Sequence, residues 1–173
     1  MRTVVCDAAL LLAGLLAGCG YHVSGQGELV PKTIKTIAIP GFQNITTRYQ
    51  LAKLLPEDIS REFLTRTRFK VIADASQADA VLNGAIVNFF YFPTTFDTAT
   101  GRSTGVEVSV TLRLTLTDRA TNAVIWSRPA AEFRERYEVA VNPQQYFDES
   151  STAEIRLSRD VARSVVSALQ QAF

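Results

Sequence analysis

The chain has 173 residues, with 18 lysines and arginines, 17 aspartates and glutamates, and a formal net charge of +1 at pH 7. This length suits a single domain. The balanced charge argues against a nucleic-acid binder, for which a strong basic excess is expected, but it leaves room for a local basic patch.

The N-terminus has the parts of a secretory signal. Met1-Arg2 supplies a positive start, residues 8–17 form an apolar run, and small residues end it. A membrane-spanning helix needs about 20 apolar residues, so this run is too short to cross a bilayer. Asp7 is unusual in such a signal, and the true start codon could lie elsewhere.

Residues 16–19, Leu-Ala-Gly-Cys, resemble the bacterial lipobox. In that family of signals the cysteine thiol takes a diacylglycerol, the peptide is cut before it, and the new amino group is acylated. The resemblance predicts that residues 1–18 are removed and that Cys19 carries the lipid, whose chains bind the membrane with about 0.8 kcal/mol per buried CH₂. Since Cys6 lies in the removed segment, no thiol remains for a disulfide. By the same resemblance, Gly20 favours the outer membrane.

The first half of the predicted domain reads as strand, helix, strand. Residues 19–33 are polar and glycine-rich and predict a tether, and the β-branched run at 34–40 predicts a short strand. A helix over 48–66 is indicated by apolar residues at steps of four: Leu51, Leu55, Ile59 and Phe63. Pro56 either kinks this helix or marks the start of its regular part, and we favour a continuous, bent helix. A second strand is predicted at 69–73.

The second half is richer in strands. Residues 80–92 predict a third strand, 93–105 a loop, and 106–117 a half-buried strand, because apolar and polar residues alternate there without a break. A hairpin turn follows at 118–122, where Asn122 can take a left-handed conformation.

The partner strand is predicted from Ala123 past Pro129 to Val141, with Glu135 interrupting its apolar side. The last helix follows a capping-box spacing at 151–154. Its apolar stripe is predicted to consist of Ile155, Ala162, Val165, Val166 and Leu169.

These elements predict an α+β fold, a two-layer sandwich in which two helices pack on one face of a mixed sheet of about four strands. The single domain is expected to span residues 34–173. The first strand, helix and strand should form a right-handed parallel crossover, and the later strands an antiparallel meander. The other face of the sheet should be polar and open.

The sequence offers no catalytic constellation. Its one histidine, His22, lies in the tether, so no histidine can pair with a nucleophile or join a metal cluster in the predicted domain. The glycine-flanked stretch 101–105 lacks the P-loop lysine and precedes a strand, so it reads as a loop. We therefore expect no enzyme activity, no metal and no cofactor apart from the lipid on Cys19.

Two surface features are candidates for binding. The aromatic run at 89–92, followed by Phe96, is either core packing or an apolar patch for a partner or lipid chain. A basic group is formed by Arg113, Arg134 and Arg136, with Arg102 as a candidate fourth member. Like parity on neighbouring strands predicts that the three share the open face, where they could bind phosphate or be ordinary charges offset by glutamates. Those glutamates are Glu107, Glu132 and Glu138.

Several segments together resemble the LptE family of lipopolysaccharide-assembly lipoproteins. They are Cys-Gly-Tyr-His-Val at 19–23, Ile-Lys-Thr-Ile-Ala-Ile-Pro-Gly-Phe-Gln-Asn at 34–44, Glu-Phe-Leu at 62–64, Arg-Phe-Lys-Val-Ile at 68–72, Ala-Asp-Ala-Val-Leu-Asn-Gly at 78–84, the alternating strand at 106–117, and the stretch 118–126 that ends in Val-Ile-Trp. Their order and spacing cover nearly the whole chain after the signal. The sequence departs from the family pattern at Asn122, where glycine is expected, and at Pro56.

The resemblance implies a non-enzymatic role in lipopolysaccharide export. LptE-like proteins are anchored in the outer membrane, act as a plug inside the LptD β-barrel, support its assembly, and can contact lipopolysaccharide. The expected location is therefore the outer membrane, facing the periplasm and the barrel lumen. The alternative is another envelope lipoprotein that binds proteins, either a peptidoglycan-synthase activator or a secretion-pore subunit.

Overall fold

The structure is a computed structural model that describes residues 33–139 and 150–171. The predicted signal peptide, Cys19, the tether and the end of the last strand beyond residue 139 lie outside the described residues. The elements are β1 (Thr36–Ala38), β2 (Gln43–Asn44), α1 (Tyr49–Arg66), β3 (Lys70–Ile72), β4 (Ala80–Phe96), β5 (Ser103–Asp118), β6 (Val124–Glu138) and α2 (Ser150–Gln170).

The sheet is mixed, as predicted. Its strand order is β3-β1-β4-β5-β6, with β2 paired to β4 off this path. Strand β1 runs parallel to β3 and β4, whereas β4, β5 and β6 form an antiparallel meander. Six strands replace the expected four or so. The smallest addition, β2, is a two-residue strand held by backbone pairing, and so short a strand has no alternating side-chain pattern.

The two helices lie on one face of the sheet and run in the same direction. Near their starts Arg48 is 3.5 Å from Glu154, and near their ends Arg66 donates to the Ser167 hydroxyl. Helix α1 is continuous through Pro56, which confirms that part of the prediction. Neither described helix is long and apolar enough to span a membrane.

The core lies between the helices and β5. The even-numbered side chains of β5 from residue 108 to 116 are buried and the polar ones alternate with them, so the predicted half-buried strand is confirmed. The helices contribute the following buried residues: Leu51, Leu55, Ile59 and Phe63 from α1, and Leu157, Val161, Val166 and Leu169 from α2.

The prediction of the apolar stripe of α2 was wrong in part. Ile155 is exposed, whereas Leu157 and Val161 are buried. Glu154 is also buried, inside a helix that has already begun at Ser150, and it pairs with Arg48. The interruption at Glu135 has an explanation: this carboxylate faces α2, where Arg156 Nε lies 2.7 Å from it.

The prediction of a loop over the whole of 93–105 was also wrong, because β4 continues to Phe96 and β5 begins at Ser103. Only residues 97–102 form the turn. The Asp97 carboxylate accepts hydrogen bonds from the Thr100 amide and hydroxyl, both at 2.7 Å, and these bonds lower the pKa of Asp97. Gly101 takes the positive φ of 67° that this turn requires. Asn122 likewise has a φ of 56°, as predicted.

Candidate functional site

The long meander extends beyond the rest of the sheet. Strand β1 pairs with β4 at residues 80–81 and β2 pairs with it at 85–86, but from Asn88 onward β4 is paired only with β5. We call the three-stranded extension the distal arm: residues 88–96 of β4, 103–111 of β5 and 132–138 of β6. One edge of β4 is therefore unpaired in the distal arm, within the part of the chain that the structure describes.

A β-bulge sorts the aromatic run between the two faces of the arm. Ile86 lies opposite Leu112, but Asn88 lies opposite Thr111, so Val87 is an extra residue on β4. The alternation is reset after it. Register then places Phe89 on the helix side and Phe90 on the opposite face, which we call the open face.

The aromatic residues are mostly exposed. Phe90 is 50%, Phe92 48% and Phe96 57% exposed, while Phe89 packs against the core. Core packing was therefore the wrong interpretation for most of the run, and the exposed apolar patch is what the structure shows.

On the helix side, Arg48 occupies the aromatic surface. Its guanidinium lies 4.5 Å from the ring centroid of Tyr91 and 5.3 Å from that of Phe89. The same guanidinium is 3.5 Å from Glu154 of α2. Arg48 therefore joins both helices to the distal arm. It leaves Tyr91 37% exposed, less than the phenylalanines on the open face and at the tip.

On the open face the three strands form a shallow trough. Register sets out three rungs across β4, β5 and β6: Phe92, Glu107 and Arg136; Phe90, Ser109 and Arg134; Asn88, Thr111 and Glu132. The trough is lined by Phe90, Phe92, Glu107, Ser109, Thr111, Glu132 and Arg134. One wall is thus aromatic, the other is charged, and the floor carries hydroxyl groups.

Ion pairs neutralise the charged wall. Arg134 lies 3.0 Å from Glu132 and 3.5 Å from Glu107, and Arg136 lies 3.4 Å from Glu107. The Ser109 hydroxyl donates to Glu132 at 2.7 Å, and this bond, with Arg134, lowers the pKa of Glu132. Two arginines and two glutamates therefore balance each other in and beside the trough.

The structure places Arg113, Arg134 and Arg136 on the open face, as predicted from their parity, but it does not gather them into one cluster. Arg113 lies four residues along β5 from the rung of Arg134, a distance of about 13 Å. Arg102 lies in the turn at the tip of the arm. The side chains of Arg102 and Arg113 make no ion pair with any described residue, in contrast to the other two.

A set of hydrogen bonds around Asp79, which we call the clamp, holds the start of the sheet together. The sequence analysis did not predict it. The Asp79 carboxylate accepts hydrogen bonds from the amides of Lys35 and Thr36 and from the Thr36 hydroxyl, all at 2.8–2.9 Å. These donors, the Lys35 amide foremost, lower the pKa of Asp79. The Asp79 amide in turn donates to the Thr36 hydroxyl. The sequence signal for this clamp was the Ala-Asp pair in the 78–84 segment. The role of Asp79 is structural.

Gly84 and Phe42, from two of the segments that resemble the LptE family, also meet. A Cβ on Gly84 would lie 2.4 Å from the Phe42 ring, so glycine is needed for this close approach. Asn44 organises the start of α1, because its side chain accepts from the Thr46 amide and donates to the Arg48 carbonyl. These segments therefore build the fold. Among the described residues, no group of three or more histidine, cysteine or acidic side chains is placed to hold a metal.

The architecture defines a class of folds: small α+β domains with two helices on one face of a mixed sheet, which several solved bacterial proteins share. An uncharacterized lipoprotein B from Nitrosomonas europaea matches with a TM-score of 0.56 and 15% identity, over 79% of this chain and 83% of that one. Protein XCC0632 from Xanthomonas campestris matches at 0.54 and 12%, over 82% and 87%. A putative lipoprotein from Caulobacter crescentus CB15 matches at 0.52 and 15%, over 76% and 87%. At these identities the likeness shows a shared fold.

The family follows from the sequence. A model of the LptE family, described as lipopolysaccharide-assembly, matches residues 34–169, and the chain therefore belongs to the LptE family. No curated protein matches it significantly. In general, the members of the LptE family are non-enzymatic lipopolysaccharide-assembly lipoproteins of the outer membrane.

Proposed function

We propose that this protein is the lipid-anchored component of the lipopolysaccharide export machinery that acts as plug and assembly partner of an LptD-like β-barrel. The observation that carries the proposal is the family match over residues 34–169, which takes in all of the described fold except its ends. The lipobox-like residues 16–19 support the anchor on Cys19, and Gly20 supports the outer-membrane location.

The described fold suits a partner-binding role. Exposed aromatic side chains at the distal arm and an open, polar sheet face offer surface that the domain itself leaves uncovered. Aromatic residues and arginine are enriched in the central parts of protein interfaces, where they contribute most of the affinity. Both residue types lie together on the distal arm.

We further propose that the protein contacts lipopolysaccharide phosphates through its free arginines. Arg102 and Arg113 have no ion pair with the described residues, so their guanidinium groups can bind phosphate without first breaking a contact. Arg134 and Arg136 would have to leave Glu107 or Glu132. Of the four arginines, Arg113 and Arg102 are therefore the better candidates.

The test is a pull-down of the lipidated protein from outer membranes. We expect it to co-purify in a one-to-one ratio with a large β-barrel, identified by mass spectrometry. A secretion-pore subunit would instead form rings in detergent, and a synthase activator would retain a peptidoglycan synthase. Either of those results, with no barrel bound, would replace the proposal.

A further inference from the structure

The trough on the open face combines an aromatic wall with hydrogen-bonding groups. The rings of Phe90 and Phe92 lie side by side, with centroids 6.0 Å apart and planes tilted by 42°. They stand on β4, two strands from the charged side chains of β6, so the walls are about 10 Å apart. This width admits a single flat ring system lying along the strands.

The floor and far wall are rich in oxygen. Glu107 and Glu132 present carboxylate oxygens, each able to accept more hydrogen bonds than their partners in the fold supply. Arg134 presents donors from a side chain that is 60% exposed. The trough can therefore accept and donate hydrogen bonds within reach of two uncovered aromatic rings.

The arginines of the trough are already paired with glutamates, which makes the trough a poor site for an anion. Arg134 is held between Glu107 and Glu132, and Arg136 also lies against Glu107, so positive and negative charges balance. A phosphate bound here would meet two carboxylates at close range and would have to displace them from the arginines. A neutral ligand with many hydroxyl groups meets no such penalty, since hydroxyls can donate to carboxylates and accept from guanidinium.

We propose that this trough is a binding site for a neutral saccharide. A sugar ring places the apolar face of its C–H groups on Phe90 and Phe92, and its hydroxyls donate to Glu107 and Glu132 while accepting from Arg134. Concave sites that combine aromatic surface with a few placed polar groups are the usual form of small-ligand sites. The site requires neither a barrel partner nor a phosphate group, so it is distinct from the barrel partnership and from the phosphate contacts of Arg102 and Arg113 proposed above.

A protein partner is the other class of occupant that exposed aromatic rings and arginine suit. The floor argues for the sugar. Ser109 and Thr111 line it with hydroxyl groups, and two carboxylates border it, whereas the centre of a protein interface is depleted in charged residues. The saccharide is therefore the occupant that satisfies the largest share of the polar groups present.

The experiment titrates the full lipidated protein, in a detergent without a sugar headgroup, with two neutral oligosaccharides by calorimetry. One is the hexose part of the lipopolysaccharide core, prepared without phosphate and without the acidic sugar Kdo. The other is an oligomer of N-acetylglucosamine, which has the glycan backbone of peptidoglycan without its lactyl carboxylate. The phosphorylated core oligosaccharide is titrated for comparison. We expect saturable binding of at least one, and the arm that binds identifies the source. Phe90→Ala with Phe92→Ala should weaken it at least about tenfold, because two ring contacts are lost.

Matched variants separate a stacking role from a general loss of structure. Phe90→Tyr with Phe92→Tyr keeps both rings and should retain affinity within about twofold. Phe96→Ala removes an aromatic ring that does not line the trough and should leave binding unchanged. Fluorescence of the sole tryptophan, Trp126, which lies on the helix side, reports whether each variant is folded.

Three outcomes overturn the proposal. Neither oligosaccharide binds at millimolar concentration; only a phosphorylated form binds; or the alanine variants release a protein partner while no sugar binding is seen, which would make the trough a protein interface. Because no barrel is present in the titration, failure of the barrel pull-down would leave this result intact.

Discussion

Gly84 should not tolerate a side chain, because Phe42 occupies the space where its Cβ would lie. A Cβ built on Gly84 would be 2.4 Å from Phe42 Cζ and 2.5 Å from both Cε atoms. The ring is buried, at 6% exposure, so it cannot swing into solvent without uncovering core. Overpacking of this kind costs about 1–3 kcal/mol, and we expect Gly84→Ala to lower the free energy of unfolding by that amount.

The magnitude can be resolved by a double-mutant cycle with Phe42→Ala. Alone, Phe42→Ala should cost about 3–5 kcal/mol, because it removes a buried ring and leaves a cavity over Gly84. In the double variant the new methyl group meets no ring and fills part of that cavity. The combined loss should therefore be smaller than the sum of the single losses by about 1 kcal/mol or more.

The assay is urea unfolding followed by circular dichroism, with the melting temperature as a second measure, which should fall by about 2–4 °C for each kcal/mol lost. Gly41→Ala is the matched control, since a Cβ there meets no atom within 4 Å. It should be neutral or slightly stabilising. Equal effects at Gly84 and Gly41, or strict additivity with Phe42→Ala, would refute the reasoning.

Three further predictions concern the clamp, the arginines and the anchor. Asp79→Asn should destabilise the protein at pH 7, where the wild-type carboxylate is ionised. Because the pKa of Asp79 in the folded protein lies below its usual value of 3.8, the difference in stability should shrink as the pH falls below 3.8 and through the lowered pKa. Urea midpoints at pH 7 and pH 3 measure this difference. Arg113→Gln should weaken binding to purified lipopolysaccharide several-fold in a sedimentation assay, and Arg136→Gln should weaken it less, because Arg136 is already paired with Glu107. Cys19→Ala should mislocalise the protein, seen by membrane fractionation, and leave its melting temperature unchanged.

Each of these has an outcome that would contradict it. A constant stability difference between Asp79→Asn and wild type from pH 7 to pH 3 would mean that the ionised carboxylate is not what stabilises the clamp. Equal losses for Arg113→Gln and Arg136→Gln would mean that ion pairing does not decide which arginine is available. Normal levels of Cys19→Ala protein at the outer membrane, before any barrel is bound, would count against the anchor.

Side-chain periodicity predicted the parts of the fold that it can specify. The alternation at 106–117 and the steps of four in α1 follow directly from burial of one face, and both were confirmed. Turn-forming residues were the reason for the wrong prediction at 93–105. Pro93 and the small polar residues after it suggest a loop, yet proline is tolerated in β4 there because this part of the strand lies at a sheet edge.

The bulge at Val87 explains why the aromatic run was harder to place. A run that is apolar at every position gives no sign of which residues face the core, and one extra residue exchanges the two faces beyond it. Only the pairing with β5 shows that Phe90 and Phe92 lie on the open face.

The candidate site was likewise predictable only in outline. Parity correctly placed Arg113, Arg134 and Arg136 on one face, because that depends on strand geometry alone. Which glutamate lies beside which arginine depends on the register between β5 and β6, and this set the pairs with Glu107 and Glu132. Long-range partners such as Asp79 and Thr36, 43 residues apart, leave no periodic signal in a single sequence.

A role in lipopolysaccharide export is tested by depleting the protein from cells and measuring two quantities: newly made lipopolysaccharide at the cell surface and the level of folded LptD-like barrel. Both should fall together, and the wild-type protein should restore both. Normal surface lipopolysaccharide and a normal level of folded barrel in fully depleted cells would contradict it.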